Sequence, residues 1–400
     1  MQEDQNKKIV TAFLRACFVE DREKYIQQPP TDADWISLSA FLQQHNLTSF
    51  FYQAISSQKV AFEVPPAVLK NWSISTKKTI INNALLEQEL GLILVGLKEL
   101  NISPVLLKGI ALHHLYDNIL SRPSSDIDIF ITRTEYEIVR DYLLKNGFNY
   151  GIARDFRGTR EQYIELQENH STEISFQKSL GSTSVNIDLH WELDGIYDGS
   201  PLEELFPIDK YPWHQYTQTD SWGELSFMTL RPELQFIHLA AHFALHHQFQ
   251  GVKWFLDLAL FIKCMGKELD WQFIDSIVRE PDCRKIIGVT MRLIENLLIS
   301  LPTGVPRWQH FWNGRGLPGE FRFYKVRLYA QSSKTGQYLG NVLLPLKIKD
   351  KLKVLAYYLF NKEAISLWRT DNESGKLPNF MQPFYIISRV YQDNKNKKPL

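Results

Sequence analysis

The sequence predicts an α+β fold: a mixed β-sheet with packed helices, flanked by helical regions at both ends. Three observations predict it. Apolar residues recur at helical spacing over roughly residues 1–100. Short apolar runs and strict alternation take over between about residues 101 and 195. Helical spacing returns from Thr229 onward. Strands interleaved with helices imply a sheet whose apolar face is covered by those helices. The boundaries that follow are 1–77 for an N-terminal helical region, 78–200 for the sheet-bearing core and 201–400 for a C-terminal helical region.

In the first region, Trp35, Leu38, Phe41 and Leu42 fall at helical spacing. A long helix is predicted from about Pro66 to Leu100, with Leu85, Leu86, Leu90, Ile93, Leu94 and Leu97 along one broad stripe and Asn101 as its stop. "ISPVLLKG" has the form of a buried strand, "IALHHLYDNIL" of a helix and "SDIDIFI" of a second strand. "TRTEYEIVRDYLLKNGF" predicts a helix with Thr134 as N-cap and Gly147 as its C-terminal stop. "EQYIELQ" and "TEISFQK" read as a hairpin pair. "TSVNIDLHWEL" is the clearest strand: Val185, Ile187, Leu189, Trp191 and Leu193 share one face, and Asn186, Asp188, His190 and Glu192 the other. Residues 195–228 read as loop. Thr229 is the expected cap of the helix that follows, with Pro232 in its first turn. The last eight residues, "DNKNKKPL", read as a frayed tail.

Lys+Arg and Asp+Glu both number 45, so the whole chain offers no electrostatic reason for nucleic-acid binding. Cys17, Cys264 and Cys283 show neither metal-ligand spacing nor an even count for disulfides, which fits a reducing compartment. The polar N-terminus makes a poor signal peptide, and no uninterrupted apolar run reaches the ~18 residues of a membrane span. The expectation is a cytoplasmic protein with no membrane partner.

The chemistry concentrates at "DIDIF". Residues two apart on a strand point the same way, so Asp126 and Asp128 share a face and Ile127, Ile129 and Ile131 the other. Paired carboxylates repel unless a cation neutralises them, and a hard divalent ion such as Mg²⁺ takes such oxygen ligands. Asp188, on the polar face of its strand, is the candidate third ligand. Upstream, Lys108-Gly109 ends a strand where a helix opens. Backbone N–H groups there favour phosphate, glycine permits close approach, and Lys108 adds charge.

With these residues in order, the chain resembles the nucleotidyltransferase superfamily that includes polymerase β, and most of all an uncharacterised bacterial branch of it. The resemblance rests on "LLKG", Arg122, "DIDIF", Gly147-Phe148 and "IDLHW", and extends to "FLQQHNLTSFFYQAI" and to the "LRPELQFIHLAAHFALHH" and "VKWFLDLALF" stretches. It implies a nucleotidyltransferase-type mixed sheet and a two-Mg²⁺ transfer from a nucleoside triphosphate, such as ATP, to a hydroxyl acceptor. Asp126 and Asp128 would bridge metal to triphosphate. Asp128 and Asp188 would hold the second ion. Lys108 and Gly109 would cradle the phosphates, and Arg122 would offset developing phosphate charge. Where the superfamily carries a second small residue after the glycine, this chain has Ile110. That departure keeps a second reading open: a nucleotide- or protein-binding module without turnover. A third is a toxin–antitoxin regulator whose acceptor is a protein or RNA.

His190 and Glu192 share the face of Asp188, and His190 is a candidate support for it. His238, His242 and His246 recur every four residues, a spacing that zinc can use; the better reading is that some line a pocket against the sheet and the others are ordinary core or surface histidines. His242, Trp254 and Asp257 are candidates for an acceptor pocket, with packing the simpler reading for Trp254. The basic run around Lys347–Lys353 is interrupted by Asp350 and reads as a solvated face.

Overall fold

The computed structural model describes residues 2–18, 32–57, 63–116, 122–153, 156, 158–181, 183–193, 201–202, 213–222, 225–306, 308, 319–330 and 334–360. The chain begins with helices α1 (Gln2–Phe18), α2 (Asp32–Gln44), α3 (Thr48–Ser56) and α4 (Pro66–Glu99). The sheet-bearing segment follows: β1 (Val105–Leu106), β2 (Ile127–Phe130), α5 (Tyr136–Lys145), β3 (Asn149–Tyr150), α6 (Arg160–His170), β4 (Glu173–Leu180), β5 (Thr183–His190), β6 (Thr217–Trp222) and β7 (Leu225–Leu230). The rest is helical: α7 (Pro232–Ala241), α8 (Val252–Met265), α9 (Trp271–Ile277), α10 (Pro281–Leu297), α11 (Glu320–Arg327), α12 (Lys334–Leu343) and α13 (Ile348–Phe360). The expected frayed tail and most of the expected loop at 195–212 lie outside the described residues.

The seven strands form one mixed sheet in the order β3-β4-β5-β2-β1-β7-β6. Two pairings are parallel, β2 with β5 and β1 with β7. Alternation sorts the side chains to two faces. Leu106, Ile127, Ile129, Ile187 and Leu189 join Leu86, Leu90, Ile93 and Leu97 of α4 and Val139 and Leu143 of α5 in one apolar cluster. Val105, Leu107 and Phe130 belong to a second cluster with the N-terminal helices, α7 and α8. Asp128 is two residues from Phe130, so its side chain leaves the sheet toward α7 and α8 rather than toward α4.

Helix α4 starts with Pro66 in its first turn, where the missing N–H costs nothing. It ends as expected at Asn101, which takes a φ of 59°. The Ile102 amide bonds the Leu97 carbonyl at 2.9 Å and the Asn101 amide that of Lys98 at 3.0 Å. These two bonds close a Schellman turn, with Ile102 and Leu97 buried together beneath it. α5 ends the same way at Gly147 (φ 85°), where the Phe148 amide reaches the Leu143 carbonyl at 3.0 Å. By length and composition α4 is apolar enough to cross a membrane, yet its Leu86, Leu90, Ile93 and Leu97 pack on the sheet.

Several expectations are corrected. "EQYIELQ" is helical, not a strand. Thr159 caps it, accepting from the Gln162 amide at 3.3 Å while the Gln162 side chain accepts from the Thr159 amide at 3.0 Å. The hairpin is instead β4 with β5, turning at Gly181 (φ 62°). Thr132, not Thr134, heads the turn into α5, boxed with Glu135. "IALHHL" forms a 3₁₀ helix, Gly109–Leu115, rather than an α-helix. β6 and β7 pair antiparallel where most of their length was expected to be loop; the edge strand "TQTDSW" lacks the apolar alternation that marks a strand. Arg231 stands at the N-cap of α7, and Thr229 lies in β7, its hydroxyl bonded to the Leu106 carbonyl.

Candidate active site

The parallel β2–β5 pairing puts Asp128 directly beside Asp188, and the antiparallel β4–β5 pairing puts Ser175 beside Asp188. Ser175, Asp188 and Asp128 therefore form one row across three strands. Lys108 follows β1 on the other flank of β2, where the Leu107 amide bonds the Asp128 carbonyl at 3.3 Å. Asp126 precedes β2 on the same side as Asp128. A pocket of about 110 Å³ opens over this row, bounded by Lys108, Gly109, Asp126, Asp128, Glu173 and Asp188. Arg122, Ser125, His242, His246, His247, Lys253 and Trp254 complete its wall.

Each carboxylate is held differently. Asp128 is 2 % exposed, and its Oδ1 meets the Lys108 ammonium and His190 Nε2, the latter at 3.2 Å. Burial alone would raise its carboxyl. Lys108 and His190 outweigh burial and hold it well below the usual carboxylate range. Asp188 accepts only the Ser175 hydroxyl, at 2.6 Å, in the contacts resolved among the described residues. Burial first, then Glu173, Asp126 and Asp128, push its carboxyl up to about 7. Burial and Asp128 also raise Asp126, against the pull of Lys108.

Glu173 completes a chain. His190 Nδ1 meets Glu173 Oε2 at 3.0 Å while Nε2 faces Asp128. Burial opposes the imidazolium, but Glu173 and Asp128 raise His190 to about 9, so it carries a proton at neutral pH. Glu173 was not legible as a site residue: it opposes His190 only through the β4–β5 register.

Gly109 has a φ of 63°, in the region that favours glycine, and a Cβ there would approach the Asp126 carbonyl and Asp128 Oδ2 at 3.4 Å. Ile110 is 3 % exposed and packs in the α4-side apolar cluster. Its bulk faces the core, not the pocket.

Arg122 lies in the wall, 2 % exposed, but its guanidinium is already engaged. Nε and Nη2 bond Asp257 at 2.9 and 2.8 Å, and Nη1 bonds Ser124 at 3.0 Å. Tyr116 donates to the same Asp257 at 2.6 Å. Asp257, expected in an acceptor pocket, is 1 % exposed and does not line the pocket; it ties α8 to the turn before β2.

The histidine repeat does not continue as an α-helix. Residues His242–His246 form a π-helical turn, which breaks the four-residue period. His238 turns away and its Nδ1 meets the Leu193 carbonyl at 3.0 Å. His242 stacks on His246, and its Nε2 lies 3.0 Å from that of His247. His247 in turn stacks on Trp254 at 3.5 Å. The linking segment is unusual, with positive φ at Gln248, Phe249 and Gly251. A Cβ at Gly251 would meet the Trp254 ring at 2.2 Å, so this aromatic wall requires glycine there.

As they stand, no three His, Cys, Asp or Glu side chains among the described residues form a ready metal cage. The donor set nonetheless fits a hard divalent ion: Asp126, Asp128 and Asp188 offer only oxygen, and burial and neighbouring carboxylates raise both Asp126 and Asp188, a cost that a cation would relieve. No curated protein matches the chain. The family model described as an uncharacterised nucleotidyltransferase matches residues 31–298, well over half of the 400 residues, and the chain belongs to that nucleotidyltransferase family.

Proposed function

We propose that the protein is a Mg²⁺-dependent nucleotidyltransferase that moves a nucleoside monophosphate from a triphosphate to a hydroxyl acceptor. The observation that carries this reading is the in-register pairing of Asp128 with Asp188, with Asp126 beside them over one pocket. Asp126, Asp128 and Asp188 would hold the metal ions, which when bound neutralise phosphate charge and acidify the acceptor hydroxyl.

The chain's own groups supply the rest. Gly109 leaves room for a phosphate against the backbone. Lys108, whose charge now rests on Asp128, would turn to the phosphates once another cation serves that carboxylate. Glu173 and His190 hold Asp128 in place. Asp188, in register with Asp128 and lining the same pocket, is placed to take the proton that the acceptor hydroxyl gives up. The hydroxyl oxygen attacks the α-phosphorus, the bond to the β-phosphate breaks, and pyrophosphate leaves with its electron pair.

One observation favours the non-catalytic module. The pocket, at about 110 Å³, is smaller than the ~300–1,000 Å³ common for ligand sites. A single assay separates the readings: four α-labelled triphosphates with Mg²⁺ and a cell extract as acceptor source. Label transfer with pyrophosphate release is expected for the wild type, falling about 100-fold or more in Asp188→Asn. Transfer that survives Asp188→Asn unchanged contradicts the assignment. Binding without pyrophosphate release favours the module.

A further inference from the structure

The resemblance gave the phosphate-neutralising role to Arg122, but Asp257 and Ser124 already hold that side chain. Lys108 is likewise paired, with Asp128. The pocket wall has one more cation, Lys253, in the first turn of α8. Among the described residues Lys253 has no ion-pair partner; its ammonium lies 5.9 Å from the centre of the Trp254 ring. It lines the same pocket as Asp126 and Asp128.

We propose that Lys253 is a substrate-binding residue that receives the triphosphate of the nucleotide, and that the Asp257–Arg122 clamp positions it. This rests on the nucleotidyltransferase reading above. The clamp argument is geometric. Lys253 and Asp257 are four residues apart on one helix, hence on neighbouring points of one face. Asp257 is pinned by two bonds to Arg122 and one to Tyr116. Pinning it fixes the rotation of α8, and with it the direction in which Lys253 projects. Arg122 thus acts through α8 rather than by touching phosphate.

The electrostatics agree. Burial, then Arg122, bring Lys253 down to about 8, while Asp257, Asp126 and Asp128 pull the other way. A lysine near cations and without a direct counter-ion is short of negative charge, which a triphosphate supplies. The positive end of α8 adds to the same field.

Titration calorimetry with Mg²⁺-tripolyphosphate and with each Mg²⁺-nucleoside triphosphate tests this on the full chain. The wild type binds tripolyphosphate and at least one nucleotide. Lys253→Gln weakens both by about tenfold or more, the loss expected for one charge-assisted hydrogen bond. Lys253→Arg recovers most of the affinity, and should Gln unfold the chain, Lys253→Met reads the same loss. Unchanged affinity in the folded Gln or Met variant overturns the role of Lys253 alone. A wild type that binds neither probe overturns the nucleotidyltransferase reading and this inference together.

Discussion

Asp188 and Asp128 are paired neighbours on adjoining strands, yet their protonation is driven in opposite directions. Asp128 has Lys108 and His190 against it; Asp188 has one serine and three carboxylates around it. The raised Asp188 sets a pH dependence whose sign is definite. Its carboxyl rises from 3.8 to about 7 on folding, so the fold favours the protonated form. That contribution is full below about pH 4 and is lost as pH rises through about 7. Asparagine mimics the protonated state at every pH. Metal-free Asp188→Asn should therefore melt higher than the wild type at pH 8, with the gap shrinking toward pH 4. A melting series at both ends checks it; a gap that stays constant with pH would remove the buried like-charge cost. At this scale the sequence was informative where alternation decides direction: Asp126, Asp128 and Asp188 meet because strand periodicity forces them to one face. Glu173 and Lys253 were invisible. One depends on strand register and the other on how α8 sits, and neither leaves a trace in local spacing.

Single elements matter through the contacts that fix their orientation. α8 is tied to the turn before β2 by a buried guanidinium–carboxylate pair whose side chains are 3 % and 1 % exposed. Removing one partner leaves an uncompensated buried charge, which costs about 3–5 kcal/mol. Asp257→Ala should lower stability by that amount in denaturant melts, and Asp257→Asn by less, since the amide keeps an acceptor. A loss below ~0.5 kcal/mol, the level of ordinary surface substitutions, would show that the clamp does not hold α8. Element boundaries were legible where turn chemistry is unambiguous. Asn101 and Gly147 both stop helices by adopting positive φ, as their residue types predict. α6 was misread because a short, half-polar run fits a strand and a helix equally; the Thr159–Gln162 box decides it. The β6–β7 hairpin escaped because its edge strand is polar along its length.

Across the whole molecule, the sheet separates two apolar clusters. α4 and α5 cover one face, while the N-terminal helices, α7 and α8 cover the other. The pocket lies on the second side, where the strands bring carboxylates, the π-helical turn and its C-cap bring His242, His246 and His247, and α8 brings Lys253 and Trp254. Carboxylates from the sheet therefore share a pocket with Lys253, the histidines and Trp254 of a segment more than 50 residues further along the chain. The α+β class was legible from the change of hydrophobic period. The way the C-terminal helices close over the sheet was not, because packing of one element on another is set by complementary surfaces rather than by the pattern of either. The central claim is that Asp126, Asp128 and Asp188 form a metal-dependent triphosphate site. Its most direct test is thermal shift with the four nucleoside triphosphates, with and without Mg²⁺, on the wild type, Asp128→Asn and Asp188→Asn. The account predicts that at least one triphosphate raises the wild-type melting temperature only when Mg²⁺ is present, and that either substitution abolishes the rise. No shift with any triphosphate, or an equal shift in both variants, would contradict it.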